Sequence, residues 1–207
     1  KSKTEASRAL VFFVTGQLDI SKLHPDADVR AKAFSIVDLL TPVVKAWCSD
    51  NGIEVTNSGL QIHGGTGFIE ASGAPQYFRD ARITAIYEGT NGIQANDLVG
   101  RKVGRDRGEA LQAFIQHISP LLDQLSNEPS NDFKEIHTQL SLAIEALNNA
   151  SAWIVTTFPT HPTHVAAGAV AYLELLGRTT GGWLLASSAL IAKRLLGENS
   201  GDPKHLK

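Results

Sequence analysis

Tyr87-Glu88-Gly89-Thr90-Asn91-Gly92-Ile93-Gln94 sets one carboxylate behind an apolar run and directly ahead of a glycine, a hydroxyl and two amides. A carboxylate withdrawn from water is a stronger base. The neighbours Ile83, Ala85, Ile86 and Tyr87 therefore point to Glu88 as a general base able to take a weakly acidic proton. Gly89 has no Cβ and lets a ligand approach the backbone closely. Thr90 and Asn91 bring hydrogen-bonding groups to a helix start, a natural place for polar or anionic ligand atoms. The competing use of the same residues is a capped helix with an exposed acid, and on residue type alone that use is the commoner.

A second motif, Gln61-Ile62-His63-Gly64-Gly65-Thr66-Gly67-Phe68, carries a similar ambiguity. Gly64 and Gly65 end a helix, and a glycine-rich bend can turn amide groups toward a phosphate or a ring edge. It is no dinucleotide fingerprint, because no strand precedes it and the GxGxxG spacing is missing. Arg79, Asp80 and Arg82 form a charged cluster between the motifs, better suited to a salt-bridged clamp than to a phosphate. His161-Pro162-Thr163-His164 lacks the Cys or acid neighbours of a metal site and reads as a helix start at Pro162.

The elements that must position these groups are helices. Apolar residues recur at helical spacing over 4–19 and 29–47, with Pro42 expected to kink the second helix. A third helix is expected over 50–62, then mostly loop to Tyr87 with a short helix near Pro75–Ala81. A helix capped by Thr90 or Asn91 runs to about Gly104. Arg101-Lys102-Val103-Gly104-Arg105-Asp106-Arg107-Gly108 is the best internal boundary, dividing the chain into 1–104 and 105–207. Three long helical patterns follow, near 108–126, 131–157 and 162–196. Thr179-Thr180-Gly181-Gly182 either bends the last of these or permits a close helix contact. The tail from Gly197 is polar and reads as frayed. Strand signals are nearly absent, so the fold class is all-α, two packed helical groups.

Composition narrows the function further. The chain has 207 residues, 43% of them hydrophobic, enough for a sizeable core. A net charge of -2 from 19 basic and 21 acidic residues gives no electrostatic reason to expect nucleic acid or an anionic membrane. No apolar run approaches the roughly 18–20 residues of a membrane span. Cys48 is the single cysteine, expected reduced and buried, and the polar start is no signal peptide; a cytoplasmic setting is expected. The chain begins at Lys1 and contains no Met, which points to a processed product or a fragment.

The two motifs, joined by Arg79-Asp80-Ala81-Arg82-Ile83 and Ile86-Tyr87-Glu88-Gly89-Thr90, resemble the acyl-CoA dehydrogenase family in content and order over roughly residues 1–104. Asn91-Gly92-Ile93-Gln94 with Asp97-Leu98-Val99-Gly100-Arg101-Lys102 is similar to a bacterial branch of that family, which adds a C-terminal helical domain. Residues 105–207 look like that addition.

The resemblance implies an FAD enzyme that dehydrogenates an acyl-CoA thioester at its α and β carbons, as in fatty acid β-oxidation. Glu88 matches the catalytic base that removes the α-proton. Its own backbone amide, together with a flavin ribityl hydroxyl, would bond the thioester oxygen, and Gly89 lies beside the substrate. Gln61, Gly64 and Gly65 match contacts to the FAD of a neighbouring subunit, and Thr90 matches another FAD contact. The resemblance further implies an electron-transfer flavoprotein or another acceptor as partner, and a homo-oligomer, dimer or tetramer. Two departures stand out. Gly92 replaces a glutamine found in many relatives, and His63 occupies an often aliphatic position and receives no role. The domains that supply most of the flavin and acyl-chain contacts in the family are not in these residues. The chain alone is therefore expected neither to hold FAD tightly nor to turn over. Other classes compatible with the residues are a non-catalytic helical interaction module and a flavoprotein relative with a different task.

Overall fold

The computed structural model describes residues 1–198; the expected fraying of the tail falls mainly beyond them. Among the described residues every regular element is helical. Helix α1 (Ser2–Leu23) turns at His24–Asp26 into α2 (Ala27–Ile62). The Asp26 carboxylate starts α2 by accepting from the backbone N–H of Asp28 at 2.8 Å and Val29 at 3.3 Å. The pair is antiparallel, fastened by a Lys3–Glu54 ion pair and by Asn51 Nδ2 donating to Ser7 Oγ at 3.2 Å.

The helices expected over 29–47 and 50–62 are one continuous 36-residue helix. Pro42 is internal and buried, and it does not interrupt the element. Its ring removes one backbone bond, but Leu39, Leu40 and Val43 beside it are wholly buried and hold the segment in the core. At 1.5 Å per residue α2 spans roughly 54 Å against roughly 33 Å for α1. Its C-terminal end therefore overhangs the hairpin, and that overhang carries the glycine motif.

Beyond α2 come the short α3 (Gly65–Phe68), a 3₁₀ turn (Glu70–Ser72) and α4 (Ala74–Thr84), longer than the helix expected there. The segment α5 (Asn91–Asp97) continues without a break into a π-helical stretch, Leu98–Arg105. Where the sequence suggested a polar boundary, this stretch buries Leu98, Val99, Lys102 and Val103. Lys102 pairs with Asp38 on α2, and the Phe158 ring covers Gly100 and Gly104.

The second half comprises α6 (Glu109–Ile118), α7 (Pro120–Ser126), α8 (Asn131–Thr157), α9 (Pro162–Ala167) and α10 (Ala169–Gly197). The pattern over 108–126 breaks at Ser119, where Pro120 starts a new helix. The pattern over 162–196 breaks at Gly168, and α10 runs straight through Thr179–Gly182. Of the two glycines there, Gly181 serves a close helix contact, whereas a Cβ on Gly182 would meet nothing within 4 Å. Trp47 of α2 lies over Gly177 and Gly181, so near that a Cβ on Gly177 would fall 2.5 Å from the ring. One apolar core accordingly runs through both halves, from Leu10 and Leu40 to Phe114, Leu147 and Leu176.

Candidate functional site

The Glu88 loop is built from two consecutive left-handed residues. Glu88 has φ 55° and Gly89 has φ 82°. For an L residue this region is strained, and glutamate holds it only where its surroundings over-determine it. Three bonds close the turn. Thr90 Oγ1 accepts from Ile93 N–H at 3.4 Å, capping α5 as expected. Gln94 Nε2 donates to the Glu88 carbonyl at 3.4 Å, and Asn91 N–H donates to Ala85 O at 3.2 Å at the end of α4.

One functional feature follows from this twist. Among the described residues, the backbone N–H groups of Glu88, Gly89 and Thr90 donate to no acceptor in the chain. Left-handed residues in succession turn such N–H groups outward together, an arrangement suited to oxygen with partial negative charge. A Cβ on Gly89 would also stand 3.2 Å from Gln94 Nε2, so a side chain here would crowd the bond that closes the loop.

The Glu88 side chain is exposed to solvent. Ile83, Ile86, Tyr87 and Ile93 around it are each about half exposed or more and do not close over it. The dehydration expected from its apolar neighbours is therefore not supplied by these residues, because consecutive apolar side chains in a turn point apart.

The glycine bend is similarly bare. Gly64 takes φ 60°, and a Cβ on Gly64 or Gly65 would meet nothing within 4 Å. Gln61 is exposed beside them. Gly67, to which sequence gave no separate role, is the sterically obligatory one: its Cβ would fall 2.3 Å from the Leu60 carbonyl oxygen. Ile62 and Phe68 flank the bend almost fully exposed. The groups offered by Gln61, Gly64 and Gly65 are neutral, a primary amide and backbone of which the Gly64 N–H is already spent on Gln61 O at 3.1 Å; they fit the edge of a cofactor and give no charge for its phosphates.

The two motifs are not brought together. Asn91 is attached to α2 at Lys45–Asp50, whereas the bend lies past the end of α2. From Ser49 to His63 the helix axis advances roughly 20 Å. Among the described residues no hydrogen bond or ion pair joins Gln61–Gly65 to Glu88–Thr90. Neither motif lines the cavities of about 380 Å³ between α8 and α10 and about 320 Å³ beneath α1, α2 and α10.

Arg79 forks onto Glu70 through two bonds and also reaches Gln76 at 2.8 Å. The guanidinium holds the Glu70 carboxyl below its usual range, so Arg79 clamps the α3–α4 turn as expected. His161 precedes α9 and stacks on His164 at 5.0 Å; no cluster of three metal-ligating side chains occurs among the described residues.

Two family models match the chain almost end to end. Residues 1–103 match "Acyl-CoA dehydrogenase, C-terminal domain" and residues 108–207 match "Acetyl-CoA dehydrogenase C-terminal like". The chain belongs to the acyl-CoA dehydrogenase family. Among acyl-CoA dehydrogenases of known activity, the 3-methylmercaptopropionyl-CoA dehydrogenase of Ruegeria pomeroyi is 40% identical over 207 residues, all of this chain and 35% of that protein. The broad-specificity linear acyl-CoA dehydrogenase FadE5 of Mycobacterium tuberculosis is 32% identical over 202 residues, 93% of this chain and 32% of that protein. The fold matches the crystal structure of Caenorhabditis elegans ACDH-11 in complex with C11-CoA, with a TM-score of 0.76 and 23% identity over 89% of this chain and 30% of that one. The chain thus spans about a third of the length of the relatives it matches. No helix among the described residues is long and apolar enough to cross a membrane.

Proposed function

We propose that this chain supplies the catalytic base and part of the cofactor surface of an FAD-dependent acyl-CoA dehydrogenase. The observation that carries the reading is the Glu88 turn, a carboxylate on a left-handed residue whose own N–H is unbonded. The exposed carboxylate takes the α-proton of an acyl-CoA thioester. The free N–H of the same residue donates to the thioester oxygen, where negative charge grows as that proton leaves, so one residue supplies base and electrostatic stabilisation. The flavin held by these residues would supply the acceptor for the hydride leaving the β-carbon, so that the product would be the α,β-unsaturated thioester. Thr90 and the Gln61–Gly64–Gly65 edge hold the cofactor, and their attachment to different parts of α2 suits contacts to flavins of different subunits in a dimer or tetramer. Electrons then pass to an electron-transfer flavoprotein or another acceptor.

Ile83, Ile86, Tyr87 and Ile93 are exposed here, so dehydration of Glu88 comes from protein and ligand that cover this face. These 207 residues alone neither retain flavin nor turn over; a purified chain with visible flavin absorbance would contradict that. The decisive test is Glu88→Gln in the longer, flavin-bearing enzyme. Bound flavin is expected to stay stoichiometric while turnover falls by about 10²–10⁴-fold, the range for loss of a general base. Undiminished turnover would move the base role to another residue.

A further inference from the structure

The Asn91 side chain has more hydrogen-bond partners than a helix cap requires. Its Oδ1 accepts from Lys45 Nζ at 2.8 Å and lies 3.2 Å from Ser49 Oγ. Its Nδ2 faces Asp50 Oδ1 at 2.7 Å, Ser49 Oγ at 2.9 Å and Ala46 O at 3.2 Å. Two N–H groups can serve only two of those three acceptors at once, so at least one donor always points into α2. The amide orientation is fixed too: a flip would set Oδ1 against the Asp50 carboxylate and the Ala46 carbonyl, and Nδ2 against the Lys45 ammonium. Thr90 already caps α5. What the Asn91 contacts add is a three-dimensional anchor, three residues past Glu88, onto a helix of the core.

We propose that Asn91 is a positioning residue that holds Glu88 in its left-handed conformation by pinning the turn to Lys45–Asp50 of α2. This rests on the reading of Glu88 as the base. A left-handed glutamate released from restraint relaxes toward right-handed backbone, which swings both its carboxylate and its N–H. The chain from Glu88 to Asn91 is too short to absorb that change while the amide stays docked. Gln94 and Thr90 bond within the loop and its own helix, and neither ties it to α2.

The first test needs no flavin. In the full 207-residue chain, the φ-dependent scalar coupling of Glu88 is measured by NMR in the wild type and in Asn91→Ala. The expected result is a Glu88 coupling that leaves its left-handed value while resonances of the α1–α2 hairpin stay in place. An unchanged Glu88 coupling overturns the proposal. Should Asn91→Ala fail to fold, Asn91→Asp keeps the size and the Lys45 bond but loses both donors. The same displacement is expected there, and an unchanged coupling overturns the proposal equally.

The second test uses the flavin-loaded, longer enzyme. Asn91→Ala is expected to lower kcat by about 10²-fold, the scale of an ångström-level misplacement, with flavin content and KM little changed. In a Glu88→Gln background the further loss should be clearly smaller, confined to the share carried by the N–H of residue 88. Equal losses in both backgrounds would make Asn91 merely structural and overturn the proposal. Full activity of Glu88→Gln alone would instead remove the base assignment, and the NMR result would still decide whether Asn91 sets the turn.

Discussion

Where α10 crosses α2, glycines make room for an aromatic ring; along the edge from Gly64 to Gly89, glycines make room for a backbone conformation. At the crossing, Trp47 is nearly fully buried, and the Cβ positions of Gly177 and Gly181 would lie 2.5 Å and 2.8 Å from its ring atoms. At the edge, Gly64 and Gly89 have φ of 60° and 82°, and nothing stands within 4 Å of a Cβ on Gly64. At the crossing the indole presses on the α10 backbone, its Nε1 is buried without a hydrogen-bond partner among the described residues, and the cavity of about 320 Å³ opens along one side of it. The edge leaves Ile62, Phe68, Tyr77 and Ile93 in water and, among the described residues, the N–H groups of Glu88, Gly89 and Thr90 without an acceptor. One region uses missing side chains to settle the fold, the other to keep a surface open for what binds it.

The largest effect on folding comes from closing the crossing. Gly177→Ala adds helix propensity of about 1 kcal/mol. Its methyl, however, meets Cγ and Cδ1 of a buried ring at 2.5–2.6 Å, so the indole or the α10 backbone must shift to admit it. Overpacking of this kind costs about 1–3 kcal/mol, occasionally more, so a net loss of stability in a denaturant midpoint is expected. A neutral result would mean that the indole slides freely and that the contrast between the two regions is false.

Gly64→Ala probes the other use of glycine. No atom opposes the methyl, so any loss must come from the left-handed backbone, about 1–2 kcal/mol for an L residue. A thermal melt should show that modest loss, with the tryptophan environment of the crossing unchanged. Gly182→Ala is the control on the same helix as Gly177. It is helical, with nothing within 4 Å of its Cβ, so the substitution should stabilise the chain by about 0.5–1 kcal/mol. Opposite signs at positions 177 and 182, five residues apart, would establish that contact with Trp47 decides the outcome.

The helices themselves were legible wherever local signals agreed. The helix expected over 131–157 is found at Asn131–Thr157, because Ser130 caps it and no proline interrupts its apolar face. Other features depend on residues distant in the chain. The continuity of α2 past Asn51 and Gly52 hangs on Asn51 reaching Ser7 on α1. The helix α10 continues through Gly181, whose missing side chain is matched by Trp47, more than a hundred positions upstream. Lys102 looked like part of a solvated boundary, and its burial follows from Asp38. At the site, Glu88, Gly89 and the Thr90 cap are legible by residue type, whereas for Asn91 residue type suggests a cap or a ligand contact and not an anchor to α2. Its partners lie 41–46 residues earlier. The signal is Lys45, Ser49 and Asp50, three polar residues at helical spacing on one face of α2.

The smallest expected effect lies at the margin of the packed region, at the solvent-exposed His117. Its ring lies 5.7 Å from Phe13 and 5.8 Å from Trp183, centroid to centroid. One edge stays in contact with water, but the face turned to these rings is withdrawn from it, and that burial pushes the imidazole below its ordinary value of 6.5. The folded chain therefore resists a proton that the unfolded chain accepts. Stability from this source is fully present above about pH 6.5 and is lost as pH falls below it. Glu70 and Asp97, held low by Arg79 and Arg101, give up their contributions only below the ordinary carboxylate values of 4.5 and 3.8. A denaturant midpoint that declines between pH 6.5 and 5.5, with a shallower decline in His117→Gln, would place a titrating group at the aromatic cluster. An identical slope in both chains would show that the cluster carries no pH dependence and that the packed region, like the open edge, tolerates charge at its margin.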